Sequence, residues 1–101
     1  MKLKVHASAL QELEEATAYY AEKSKALGAD FEEKVESAIR RSARYPHRGR
    51  QIGQPEMRAT ELRRFPYRIF YAIEDETVFV LSATSTRQQG TDWQKRLKDF
   101  R

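Results

Sequence analysis

The chain has 101 residues, of which 40% are hydrophobic and 34% charged, with a net charge of +4 and no cysteine. A length of this order makes one domain, residues 1–101, with one modest core that a binding partner could reinforce. The lack of cysteine excludes a disulfide framework, a thiolate nucleophile and a thiolate zinc site.

Leu3 and Val5 alternate with Lys2 and Lys4, which predicts a short strand with one buried face. This start lacks the apolar run of a signal peptide, and no later stretch could span a bilayer, so a cytoplasmic protein without a membrane partner is expected. Ser8 and Gln11 form a Ser-x-x-Gln pattern that predicts a capping box and a helix. Leu10, Leu13, Ala16, Thr17 and Tyr20 share one face of that helix, with Glu12, Glu15 and Glu22 on the opposite side. The helix is expected to fade near Ser24, with Gly28 in the break. In the second helix Leu27, Phe31, Val35, Ala38, Ile39 and Ser42 form the apolar stripe. Its acids come early and its arginines late, which complements the helix dipole at both ends, and Pro46 stops it. Two such helices joined by a short break predict an antiparallel hairpin.

Residues 46–56 read as a loop. Strands are then expected at 57–65, 67–74 and 78–84, joined as an antiparallel meander. In the middle one Tyr67, Ile69, Tyr71 and Ile73 share a face, and Arg68, Phe70, Ala72 and Glu74 share the other. The tail from Asp92 to Arg101 predicts a short helix capped by Asp92 or Thr91. The expected class is α+β, with the order β-α-α-β-β-β and the helix hairpin packed on one face of a small, mainly antiparallel sheet.

The charge is unevenly spread. Residues 37–72 hold nine arginines, no lysine and only two acids, Glu56 and Glu61. Arginine favours planar, bidentate contact with carboxylate or phosphate, so this third of the chain fits an acidic protein segment or nucleic acid. His6 and His47 lie far apart with no carboxylate at ligand spacing, and the glycines sit in apparent loops, so neither a metal nor a cofactor is expected. The carboxylate pairs Glu14-Glu15 and Glu32-Glu33 occupy adjacent helical positions that do not face each other. What remains is arginine beside aromatic residues. Arg40, Arg41 and Arg44 on the second helix, Arg58, Arg63, Arg64 and Arg68 on the strands, and Arg87 beyond them are expected to converge on one contact surface. Cleaving RNA without metal would also need a proton acceptor and a donor. Arginine is a poor base because its pKa stays above about 12. Tyr67 or Tyr71 could serve in principle, although their alternation fits a core-facing stripe better.

Several segments together carry a resemblance. They are Val5–Leu13 at the first strand and helix, Tyr19-Tyr20, and Leu27-Gly28-Ala29-Asp30-Phe31. Arg58, the run Phe65-Pro66-Tyr67-Arg68-Ile69-Phe70-Tyr71, and Trp93 with Arg96 complete the set. In this order and spacing the chain resembles the RelE/ParE superfamily of toxins from type II toxin–antitoxin systems. The resemblance implies a cognate antitoxin whose extended or helical C-terminal segment wraps the toxin. RelE-like members cleave messenger RNA in the ribosome with basic residues on the sheet and a C-terminal tyrosine. ParE-like members are understood to poison DNA gyrase and have lost that set. Here Arg68 and Arg87 stand at positively charged positions of the nuclease branch, and with Tyr71 they would carry any cleavage. The lysine positions correspond to Ala59 and Glu61, a second basic position to Gln88, and the tyrosine position to Trp93 or Gln94. Ser85 stands where many ParE-like chains carry histidine. The resemblance therefore implies the ParE branch, a binding rather than a catalytic role, and the eight arginines above with Trp93 as the antitoxin- and target-binding set.

Overall fold

A computed structural model describes residues 1–88 and 93–101. The elements follow in the order β1 (Lys2–Val5), α1 (Ala7–Lys23), α2 (Lys25–Arg44), a 3₁₀ turn at Pro46–Arg48, β2 (Arg50–Gln51), β3 (Met57–Glu61), β4 (Tyr67–Glu74), β5 (Thr77–Ser85) and a 3₁₀ segment at Trp93–Phe100. One five-stranded sheet has the order β1-β5-β4-β3-β2. β1 runs parallel to β5, and the other pairs are antiparallel. Among the described residues no helix is long and apolar enough to cross a membrane.

The expected α+β order is present, with local corrections. The N-cap of α1 is His6, not Ser8: its Nδ1 accepts the Ser8 N–H at 3.0 Å, and Gln11 instead donates to Glu15. Ser24 alone makes the joint between the helices. Its N–H closes α1 on the Tyr20 carbonyl, and its Oγ accepts the Leu27 N–H to open α2. Gly28 is therefore not in the break but inside α2. A Cβ there would lie 2.7 Å from that of Ala21, so glycine lets the two helices approach closely.

The expected stripe of α2 is largely buried: Phe31, Val35, Ala38 and Ser42 lie inside. On α1 the buried positions are Ala9, Leu13 and Ala16, and Leu10 is 52% exposed. Tyr20, Phe31, Phe65 and Tyr67 meet edge to face or tilted, with centroids 4.9–6.1 Å apart. Glu12 was expected in solvent but turns to the sheet. β5 carries one extra residue, because Phe70 pairs with Ser82 and Tyr71 with Val80. This bulge frees backbone groups, and Glu12 accepts the Ala83 N–H at 3.1 Å while Arg96 donates to the Leu81 carbonyl at 2.9 Å. The two side chains also pair with each other, at 2.9 and 3.1 Å.

The stretch read as a loop holds both the 3₁₀ turn and β2. β3 stops at Glu61, four residues short of the expected end, because the chain turns with Arg64 left-handed (φ 72°). β5 gains one residue at each end, and Asp75 and Glu76 supply the two positive φ values of a tight hairpin turn. The final helix is present as the 3₁₀ segment. Its expected cap at Thr91 or Asp92 lies outside the described residues. This segment covers the sheet face opposite the helices, packing Trp93 and Leu97 over Met57, Phe70, Phe79 and Leu81.

Candidate functional site

Alternation along β3 and β4 sorts the arginines. Arg58 stands opposite Tyr71, on the face covered by the helices, whereas Arg68 stands opposite Glu61, on the other face with Phe70. The side-chain partners follow the same division. Arg58 reaches back to the carbonyls of Gly49 (3.1 Å) and His47 (3.4 Å), beside the end of α2. Arg40, Arg41 and Arg44 occupy that end. Arg44 and Arg48 lie over the Tyr45 ring at 5.5 and 4.0 Å, and Arg41 donates to Ser37. A second group lies at the β3–β4 turn. Arg64 pairs with Asp30 at 2.8 Å, Arg68 pairs with Glu61 at 3.0 Å, and Arg63 is exposed. Arg87 follows β5, its backbone N–H bonded to Ser85 Oγ, with Tyr20 in its electrostatic reach. The expected single surface is thus two groups. Arg58 Nε and Arg68 Nε are buried without a hydrogen-bond partner.

The hydroxyls weighed for proton transfer are held differently. Tyr71 is 1% exposed and donates to the Pro46 carbonyl at 2.6 Å. Burial pushes its pKa above 10, against the Gly49 backbone and Arg58, which pull it down. Burial likewise raises Tyr67, which packs among Tyr20, Phe31 and Phe65. Both hydroxyls hold their protons tightly. Trp93 is buried and stacks on Phe70 with centroids 4.5 Å apart. Among the described residues no group of three or more His, Asp or Glu side chains could hold a metal ion.

Among the described residues, concavities adjoin these elements. A groove of about 530 Å³ runs between α1 and α2, floored by Leu10, Leu13, Thr17, Val35 and Ile39 and rimmed by Glu14, Glu32 and Glu36. At the end of α2 a pocket of about 70 Å³ is walled by Arg41, Ser42, Tyr45, Arg48, Thr60 and Tyr71. It adjoins a groove of about 580 Å³ through the shared Arg41 and Tyr45, with Met1, Leu3, Arg40, Ala43 and Arg44 as further walls. Sequence reading missed Tyr45, Arg48 and Thr60. The only linear signal was an aromatic residue before Pro46, with arginines on both sides of it. It also placed Leu10 on one face with Leu13, Ala16 and Tyr20, whereas that residue opens onto the helical groove.

Solved structures share the fold. A chain from the chromosomal ParDE toxin–antitoxin system of P. aeruginosa superposes with a TM-score of 0.74 at 16% identity, covering 84% of this chain and 95% of that one. The isolated E. coli RelE toxin superposes at 0.63 with 20% identity, over 99% and 98% of the two chains. A mutant RelE in complex with a peptide of its antitoxin RelB superposes at 0.62 with 21% identity, over 95% and 92%. No curated protein matches the sequence. The profile described as "ParE toxin of type II toxin-antitoxin system, parDE" matches residues 3–90. With most of its length inside that profile and its fold shared with these structures, the chain belongs to the ParE toxin family of type II toxin–antitoxin systems.

Proposed function

We propose that this toxin arrests growth by holding a cellular target, DNA gyrase as the ParE branch implies, without cutting RNA, and that a cognate antitoxin neutralises it. The observation that supports a binding role is the condition of Tyr71. Its hydroxyl is buried and already donates to Pro46, and Arg58, beside it, reaches carbonyls of the same chain. Of the two arginines a nuclease reading would use, Arg68 is paired with Glu61 on the sheet face away from Tyr71. A group that relays protons must be free to exchange them, and the Tyr71 hydroxyl is buried and committed to the Pro46 carbonyl.

The groove between α1 and α2 supports the antitoxin contact. Leu10, at 52% exposure, and Ile39 offer an apolar strip to an amphipathic segment, and the three rim glutamates favour basic residues along its flanks. A segment that also continued to the arginines would bury roughly 1,600 Å² or more in total.

Expression of the chain alone in bacteria, with and without the adjacent reading frame, tests the reading. Filamentous arrest with a DNA-damage response, relieved by the neighbouring frame, is the expected result, together with inhibition of purified gyrase in a supercoiling assay. Rapid translation arrest with cut messages, abolished by Arg68→Ala, would establish the RelE-like alternative. No arrest would point to a nontoxic relative that binds nucleic acid.

A further inference from the structure

We propose that the pocket at the end of α2, with the groove beside it, binds a nucleic-acid strand through a backbone phosphate. This goes beyond the protein contacts above and does not depend on which target the toxin holds.

Uncompensated charge is the first support. Arg64, Arg68, Arg96 and Arg101 each have a carboxylate partner. Among the described residues Arg41, Arg44 and Arg48 have none, and Arg40 meets Glu36 only at 4.0 Å with both side chains exposed. Complementing the helix dipole is the simpler role for such residues. A helix C-terminus offers only about half a negative charge, which four guanidinium groups far exceed.

Shape is the second. The pocket holds about 70 Å³, room for one oxyanion. Residues that carry donor groups line it from three elements: Arg41 from α2, Arg48 from the 3₁₀ turn, and Thr60 from β3. A planar carboxylate meets its donors mainly in one plane, whereas a tetrahedral phosphate accepts from several directions, so the phosphate is the better occupant. The adjoining groove has the remaining parts of a strand site. Arg40 and Arg44 line it beside the pocket and can meet further phosphates, and Met1, Leu3 and Ala43 give it an apolar wall for sugar and base.

Fluorescence anisotropy with labelled oligodeoxythymidine, oligouridine and a DNA duplex of equal length tests this, with AMP and polyglutamate as competitors. The single strands are expected to bind more tightly than the duplex, with affinity falling as salt rises. Arg41→Ala and Arg48→Ala should each weaken binding of every sequence alike and lower the salt slope by about one. Thr60→Val, which keeps the side-chain shape, should weaken binding with the slope unchanged. Lys25→Ala removes an equal charge from the far end of α2 and should change neither quantity. Circular dichroism of each variant separates lost binding from lost folding. The proposal is overturned if the strands do not bind, if Lys25→Ala matches the pocket variants, if AMP competes as well per phosphate as the strands, or if polyglutamate displaces the strands as readily as unlabelled oligonucleotide does.

Discussion

On one face of the sheet, two helices of 17 and 20 residues bury Phe31, Val35, Leu13, Ile69 and Val80 almost entirely by apolar contact. On the other, eight residues in 3₁₀ form cover Phe70, Phe79 and Leu81 with Trp93, Leu97 and the half-buried Phe100. A 3₁₀ run of that length gains little from its own hydrogen bonds. It is clasped instead by side chains: Arg96 to Glu12, His6 Nε2 to Asp99 at 2.7 Å, and Arg101 to Glu74. The first face is held by area removed from water, which salt and pH barely touch. The second is held by fewer apolar groups and by charges that salt screens and protons neutralise. The helical face is therefore expected to set the stability of the whole domain, and the C-terminal segment to come away without unfolding the rest.

The largest expected effect puts the two faces against each other. Phe31→Ala removes a ring with no exposure from the centre of the helical face, and should cost about 3–5 kcal/mol in urea unfolding followed by far-ultraviolet circular dichroism. Trp93→Ala removes a larger ring, 3% exposed, yet should cost about 2 kcal/mol, because local detachment of the segment caps the loss. Trp93 is also the only tryptophan, so in the unaltered protein its fluorescence should change at lower urea than the circular dichroism does. Equal costs and coincident transitions would mean that both faces unfold as one unit.

A smaller effect tests how tightly the helical face is closed at the end of α2. A Cβ on Gly49 would lie 2.1 Å from Tyr71 Oη, although the backbone there suits any residue. Gly49→Ala should cost about 1–3 kcal/mol as overpacking against a buried hydroxyl. Tyr71→Phe should cost about 1 kcal/mol by leaving the Pro46 carbonyl without its donor. In the double variant the obstructing oxygen is gone, so the two losses should fall short of additivity by more than about 0.5 kcal/mol. Additive losses would show that the turn relaxes away from the strand.

How much of this was legible in the sequence depended on the range of the interaction. β4 was read to its exact ends because strict alternation and a polar turn are local signals, and the α2 stripe was legible for the same reason. Gly28 was misread because glycine reads as punctuation, while its reason here is contact with Ala21 on another helix. Glu12 was assigned to solvent because periodicity along α1 cannot register Arg96, which lies 84 positions later. The arginines read as one patch because spacing in the chain carries no sheet face. The β3–β4 register turns Arg58 toward the helices and Arg68 away from them. The pocket depended on three separate elements meeting, and no linear motif marks that.

The gentlest test acts on the outermost clasp of the C-terminal segment. The hydrogen bond from Arg101 holds the Glu74 carboxyl below its ordinary pKa of 4.5, against an opposing push from desolvation, with the Arg101 charge adding a smaller pull in the same direction as the bond. A carboxylate depressed in the folded state adds stability above its unfolded pKa and loses it as pH falls through the lower, folded one. The clasp should therefore be intact at neutral pH and loosen only below about pH 4.5. Both partners are partly exposed, so the effect should be small and should shrink in salt. Amide exchange at Arg101, whose N–H bonds to the Lys98 carbonyl, reads it directly. Corrected for intrinsic rates, protection should fall between pH 5 and pH 3 at low salt, and Glu74→Gln should show the lower protection already at neutral pH. If the substituted protein keeps full protection at pH 7, the apolar contacts of Phe100 and Leu97 hold the end of the chain without the ion pair. The second face would then be bound by the same physics as the first, only over less area.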